Sequence, residues 1–256
     1  MNQSVMKALK LLNYFTVETP ELTLREIARM AEIPKPTAYR LLSALVDNDF
    51  LYKTKDTEHD SKYRLGLKLL ELGQIVADQL EVRTIALPHM EKLAREINEV
   101  IHLVIANHNE ATYIEKVDSS RALRLYTRVG KSSPLYIGSG PKMLLAHMPK
   151  ERQKEVLGEK ELYSLGDNEP IDKQQLIKQL ETIRQEGYAY SVGEQDADTT
   201  GISYPIYDHR NQIAAALAVS GLSSHFEGEN LEILKASTMK TSETISRKLG
   251  YRGPDY

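Results

Sequence analysis

Residues 24–45 carry two apolar stripes at helical spacing with only a short turn between them, and this limits the fold more than any other feature of the chain. Leu24, Ile27, Ala28 and Ala31 form the first stripe, and Glu32, Ile33 and Pro34 make the turn. Ala38, Leu41, Leu42 and Leu45 then recur at i, i+3, i+4 and i+7. Pro36 suits the first position of that helix, where its missing N–H costs nothing. Helices this short are not stable alone, so they must bury their stripes against each other and a neighbour. Val5, Ala8, Leu9, Leu12 and Phe15 supply an earlier amphipathic helix, and Thr23-Leu-Arg-Glu26 has the spacing of a capping box that opens the second. Phe50–Lys53 and Lys62–Leu65 read as two strands joined by a polar tip, Thr54–Ser61. Helix, short helix, tight turn, helix and ribbon together predict a winged helix-turn-helix over residues 1–66.

The third helix turns a polar face away from that core. At about 100° per residue, Arg40, Ser43 and Asp47 lie opposite the leucines, with Thr37 and Tyr39 on the flanks and Lys35 at the entrance. In this fold the third helix enters the major groove of double-stranded DNA, and ribbon and helix ends hold phosphates. Arg40 can read a guanine bidentately, Thr37 and Ser43 can bond base edges or phosphate, and Tyr39 can reach the backbone. Lys62 and Arg64 are the candidates on the wing. Its tip carries Asp56, Glu58 and Asp60, which phosphate repels, so contact belongs at its base. Three amphipathic helices also build protein-docking domains, and the charge balance alone does not choose. The chain has a net charge of −3, divided as +1 over residues 1–66 and −4 over the rest, so DNA binding must rest on placed side chains rather than a basic field.

Gly66–Arg83 contains Leu67, Leu70, Leu72, Ile75, Val76 and Leu80 and predicts a helix, a linker over 67–83, with a further helix over Ala86–Ile97. From there to residue 256 the pattern is strand-rich. Val100–Ala106, Ala111–Val117 and Ala122–Val129 predict an antiparallel meander. Helices follow at Lys142–Met148, around Lys150–Leu157 and at Asp172–Glu186, then strands at Tyr188–Val192, Ile202–Tyr207 and Ile213–Ser220, and a last helix at Asn230–Leu249. Strands in two groups around helices, without regular alternation, predict an α+β antiparallel sheet with helices packed on it.

Chemistry in this second region is narrowed by what the residues omit. The chain has no Cys, which removes disulfides, thiolate metal sites and cysteine nucleophiles and favours a reducing compartment. No stretch nears the roughly 18 to 20 apolar residues of a membrane span, and Lys7 and Lys10 interrupt the one N-terminal apolar stretch, so neither membrane span nor signal peptide is expected. Gly138-Ser-Gly-Pro-Lys142 lacks the spacing of a phosphate loop, Ser139 and Ser220 lack a nucleophile elbow, and the seven His, including His102 and His108, show no third ligand at a metal spacing. The histidines therefore read as surface or core residues, with no cofactor, no metal and no enzyme expected. The backbone N–H groups of Gly138, Ser139 and Gly140, just ahead of a helix, suit an anion such as a carboxylate, or else only a tight turn.

Three blocks of the first region, Leu24-Arg-Glu-Ile-Ala28, Ile33-Pro-Lys-Pro-Thr-Ala-Tyr-Arg-Leu-Leu42 and Tyr63-Arg-Leu-Gly66, resemble the N-terminal domain of IclR-type bacterial transcriptional regulators. Gly187–Glu194, Gly201–Asp208 and Ala214–Gly221 resemble the family's GAF-like C-terminal domain, so the resemblance spans nearly the whole chain. It implies a cytoplasmic homo-oligomer, dimer or tetramer, that binds a palindromic operator and takes a small-molecule effector, an organic acid or aromatic, over residues 84–256. A repressor is the first expectation, with activator, adaptor and enzyme as the competing readings. By the same resemblance Ser139 and Gly140 help hold the effector, Ala122 and Leu125 supply apolar wall, and Ser191, Glu194, Gly201 and Ser220 lie nearby. Pro141 departs from the family's usual Gly, and Ser191 is neutral where a relative's pattern is acidic.

Overall fold

The structure, a computed structural model, describes residues 3–16, 18–54, 61–79, 81–121, 127–158, 161–165 and 169–253. The chain divides into two compact units, residues 1–79 and 80–256.

In the first unit α1 (Gln3–Leu12), α2 (Leu24–Met30) and α3 (Lys35–Asp47) enclose a core of Leu11, Phe15, Ile27, Leu41, Leu42 and Leu45. The stripe positions of α3 are buried, and of the α2 stripe Ile27 and Ala28 are buried while Leu24 and Ala31 are half-buried against the same core. The capping box forms: the Glu26 N–H donates to Thr23 Oγ1 at 3.2 Å, and the Thr23 N–H to Glu26 Oε2 at 2.8 Å. Those bonds hold the Glu26 carboxyl below its ordinary range. The turn closes as Glu32 adopts φ 52° and the Ile33 N–H returns to the Ala28 carbonyl at 3.1 Å. The ribbon is β2 (Leu51–Thr54) against β3 (Lys62–Leu65), and β1 (Leu22–Thr23), which the sequence pattern did not indicate, pairs with the other edge of β3. The tip, residues 55–60, lies outside the described residues. Gly66 ends the ribbon where a Cβ would stand 2.0 Å from the Asp49 carbonyl oxygen, so no larger residue fits. α4 (Leu67–Gln79) follows, with Leu67 and Leu70 largely exposed within this unit.

The second unit starts with α5 (Glu81–Ile97). Glu81–Arg83, expected in the linker helix, thus belongs to α5, where Arg83 pairs with Glu115 at 2.9 Å and Val82 packs on the core. Pro88, expected near the start of a helix, sits inside this longer one. The sheet is α+β as expected: β4 (Val100–Asn107), β5 (Glu110–Val117), β6 (Ser132–Pro134), β7 (Ala189–Val192), β8 (Thr199–Tyr207) and β9 (Ile213–Leu222) in the order β6-β5-β4-β9-β8-β7, every pair antiparallel. Of the third expected meander strand, Ala122–Val129, residues 122–126 lie outside the described residues and Thr127–Val129 is not strand; β6 pairs with β5 over Glu110–Thr112.

Strand alternation sorts side chains between the two faces of the sheet. Ile101, Leu103, Ile202, Tyr204, Leu217 and Val219 point to one face, covered by α5 and α9 (Gly228–Lys248). On the other face lies α6 (Ser139–His147), with α8 (Lys173–Glu186) against it and α7 (Lys150–Leu157) between them in the chain; Val104, Ala216, Leu144, Leu176 and Leu180 fill that layer. No helix among the described residues is long and apolar enough to cross a membrane.

Candidate functional site

The second face of the sheet carries a cavity whose floor follows from strand register. Ser191 pairs with Gly201 and Gly201 with Ser220, which sets two serines on either side of a glycine across β7, β8 and β9. Two residues along, His102 pairs with Ala218 in the next row. Gly201 leaves the middle of the floor without a side chain: a Cβ there would stand 2.7 Å from Ser139 Oγ and 3.2 Å from Ser191 Oγ. The N-terminus of α6 comes down onto this floor. Gly140 allows the approach, since its Cβ position is already 3.1 Å from Val104 Cγ2. Together these residues enclose a small cavity of about 30 Å³.

A bulge completes one wall. β4 and β5 pair Leu103 with Glu115 but Val104 with Tyr113, so one residue is skipped between them. Unbroken pairing would have turned Tyr113 to the face of α5; the bulge turns it to the cavity. There its ring meets the His102 ring edge-on at 5.4 Å. Gln195 fixes the Tyr113 hydroxyl, with Nε2 donating to it at 2.7 Å and to the Ile137 carbonyl at 3.2 Å. Burial raises the Tyr113 phenol above its ordinary range.

Charge at the mouth is held by one ion pair. Lys142, 3% exposed in its side chain, reaches Glu194 Oε1 at 2.5 Å, and the Gly138 N–H donates to Glu194 Oε2 at 2.7 Å. Gly138 is the N-cap of α6, at φ 91°, and it has no side-chain cap. Of the three backbone donors expected around this helix start, the Gly138 N–H is therefore taken by the protein's own carboxylate. Those of Ser139 and Gly140 stay in the first turn, where a helix has no internal acceptor for them. His102 is 2% exposed, neither ring nitrogen has a hydrogen-bond partner among the described residues, and burial first, then the Lys116 charge, pushes its pKa down to about 3.

Six of the eight residues expected near an effector thus line one cavity: Ser139, Gly140, Ser191, Glu194, Gly201 and Ser220. Ala122 and Leu125 lie outside the described residues. His102, Tyr113, Thr127 and Gln195 line it too and were not anticipated. For His102 there was a signal, a lone ionisable residue in the middle of the apolar strand Val100–Ala106.

In the first unit Lys35, Tyr39 and Arg40 stand exposed on α3, and Thr37 and Ser43 are half-buried on it. Lys62 and Arg64 lie on β3, both engaged by Glu21: Arg64 Nε donates to Glu21 Oε1, and Lys62 Nζ is 3.8 Å from Glu21 Oε2. Arg64 also reaches the Tyr52 hydroxyl at 3.4 Å. One carboxylate is therefore shared between Lys62 and Arg64.

Comparison with known proteins agrees across both units. Residues 74–247 match the family model described as bacterial transcriptional regulator IclR C-terminal, and residues 4–55 match the IclR helix-turn-helix domain. The HTH-type transcriptional regulator KipR of Bacillus subtilis (strain 168) is 36% identical over 250 residues, 98% of each protein. Among solved structures, the Thermotoga maritima IclR superposes with a TM-score of 0.78 at 29% identity, covering 98% of this chain and 100% of that one. An IclR homolog from Microbacterium hydrocarbonoxydans complexed with 4-hydroxybenzoate has a TM-score of 0.78 at 28% identity, covering 96% of this chain and 99% of that one.

Proposed function

Because this chain belongs to the IclR family of bacterial transcriptional regulators, we propose that it is a repressor that binds a palindromic operator as a dimer or tetramer and is controlled by an organic acid held in the α6 cavity. The family consists of regulators, not enzymes. The observation that carries the DNA reading is the division of α3 into two faces: Ala38, Leu41, Leu42 and Leu45 are spent on the core, while Lys35, Tyr39 and Arg40 have no role there. Arg40 reads a base, Thr37 and Ser43 bond base edges or phosphate, and Lys35, Lys62 and Arg64 meet phosphate.

The acid's carboxylate takes the Ser139 and Gly140 N–H groups at the positive end of α6. The relative complexed with 4-hydroxybenzoate supports an organic acid as the ligand class. For the effector to control DNA binding it must favour one arrangement of the regulator over another, because a ligand with equal affinity for both shifts nothing.

A gel shift with the DNA flanking its own gene tests the reading. A specific band at low salt is expected, weakened by Arg40→Ala by about 1 to 3 kcal/mol with relaxed preference at one base pair. No specific band would overturn the DNA reading, and reporter expression that falls when the gene is deleted would overturn repression.

A further inference from the structure

One buried side chain of the cavity has no hydrogen-bond partner among the described residues. His102 comes from the centre of β4, is 2% exposed, and both Nδ1 and Nε2 lack a hydrogen-bond partner among the described residues. Its surroundings explain this. Of its two cross-strand neighbours Ala218 is apolar and Lys116 is paired with Asp118 at 2.8 Å, the Tyr113 ring meets it edge-on, and the Tyr113 hydroxyl is already committed to Gln195. Leaving a buried polar group unpaired destabilises the fold, and an apolar residue here would avoid that cost. The same ring lines the cavity together with Ser139, Gly140, Gly201 and Ser220.

We propose that His102 reads a hydroxyl on the effector, so that the ligand class is a monocarboxylic hydroxy acid, its carboxylate on the α6 N-terminus and its hydroxyl on the His102 ring. This rests on the reading of the α6 cavity as the effector site and deepens it. A neutral imidazole has one donor and one acceptor nitrogen, which is the complement of a hydroxyl. The ring stays neutral at physiological pH, with its pKa held near 3, so it is not a cation that could compete for the carboxylate. The other polar groups fit the same ligand. The Lys142 ammonium is already paired with Glu194, so the carboxylate's donors are the N–H groups of α6 together with the hydroxyls that line the cavity. Asp196 also lines the cavity, and its negative charge opposes a second acid group. Discrimination by such a site is steep, because an analogue lacking the hydroxyl leaves the buried ring unpaired while still occupying its space.

The test is calorimetric titration of the full chain with acid pairs that differ by one hydroxyl: lactate and propionate, 3-hydroxybutyrate and butyrate, 4-hydroxybenzoate and benzoate. In at least one pair the hydroxy acid should bind tenfold tighter or more. That ratio should fall towards one in His102→Phe and recover in part in His102→Gln, which restores a donor and an acceptor. Imidazole ¹⁵N resonances of the unmodified chain supply a readout that does not need the variants to fold: the hydroxy acid should shift the His102 nitrogens, and its deoxy partner should not. Equal binding within every pair, unmoved His102 resonances, or a ratio kept in His102→Phe would overturn the role of His102 while leaving the cavity as effector site. If no acid binds, or if binding survives Ser139→Leu unchanged, the cavity reading falls and this proposal with it.

Discussion

Replacing Glu194 by Gln should destabilise the second unit more than replacing its partner Lys142 by Met, although both substitutions break the same ion pair. The asymmetry comes from burial. The Lys142 side chain is 3% exposed and Glu194 is 31% exposed. In Glu194→Gln the ammonium stays buried with only amide oxygens near it, the new one and Gln179 Oε1 at 3.5 Å. Stranding one charge of a buried pair costs about 3 to 5 kcal/mol, and the remaining amide acceptors place this case at about 3. In Lys142→Met an apolar chain of similar length fills the space, while Glu194 regains water and keeps the Gly138 N–H, so the loss is about 1 kcal/mol. The double variant should resemble Lys142→Met, which gives a coupling of about 3 kcal/mol. For a unit of this size about 2 to 4 °C of Tm accompanies each kcal/mol, so the single variants should differ by roughly 4 to 8 °C in the second unit's calorimetric transition. Equal losses, or a larger loss in Lys142→Met, would show that the lysine does not depend on its partner and would refute the reasoning.

Three further outcomes follow from particular residues. His102 is held neutral down to about pH 3 by burial and by Lys116, with Asp118 opposing, whereas the unfolded imidazole takes its proton near pH 6.5. Its contribution is therefore complete above pH 6.5 and lost as pH falls towards 3, about 2 kcal/mol by pH 5; urea melts at pH 7 and 5 should show this loss reduced in His102→Phe, and an identical loss would contradict it. Thr23→Ala removes the capping box and should cost the first unit about 1 kcal/mol in the same kind of melt. Glu21→Gln removes the carboxylate beside Lys62 and Arg64, so non-specific DNA affinity should rise and its salt dependence steepen by about one phosphate contact, which gel shifts over a salt series would measure.

How much of this was legible in the sequence depended on how local the cause was. The stripes of α2 and α3, the Thr23–Glu26 box and the Pro36 start each lie within a few residues, and the structure has them where the spacing puts them. β1 has two residues and exists only because β3 offers it an edge, so no periodicity could mark it. The cavity was legible through family resemblance for its small residues but not for its walls. Tyr113 reaches it only through a one-residue bulge, and Glu194 meets Lys142 and Gly138 only after the chain has turned through α7, α8 and β7. Register and bulges are tertiary outcomes, and a strand pattern carries its alternation but not its partner.

The strand order also has a consequence for the order of synthesis. β4, near the middle of the sheet, pairs on one side with β9, and Ile101 waits for Val219, which is 118 residues further on. At roughly 5 to 20 residues per second, a nascent chain carries that strand without its inner partner for about 6 to 24 s. The contacts of the first unit, by contrast, close within its own 79 residues. The helix-turn-helix unit is thus complete on the ribosome well before the cavity of the second unit can exist, and a chain cut short before Ile213 would retain the first unit and lose the β9 part of the floor of the proposed effector site.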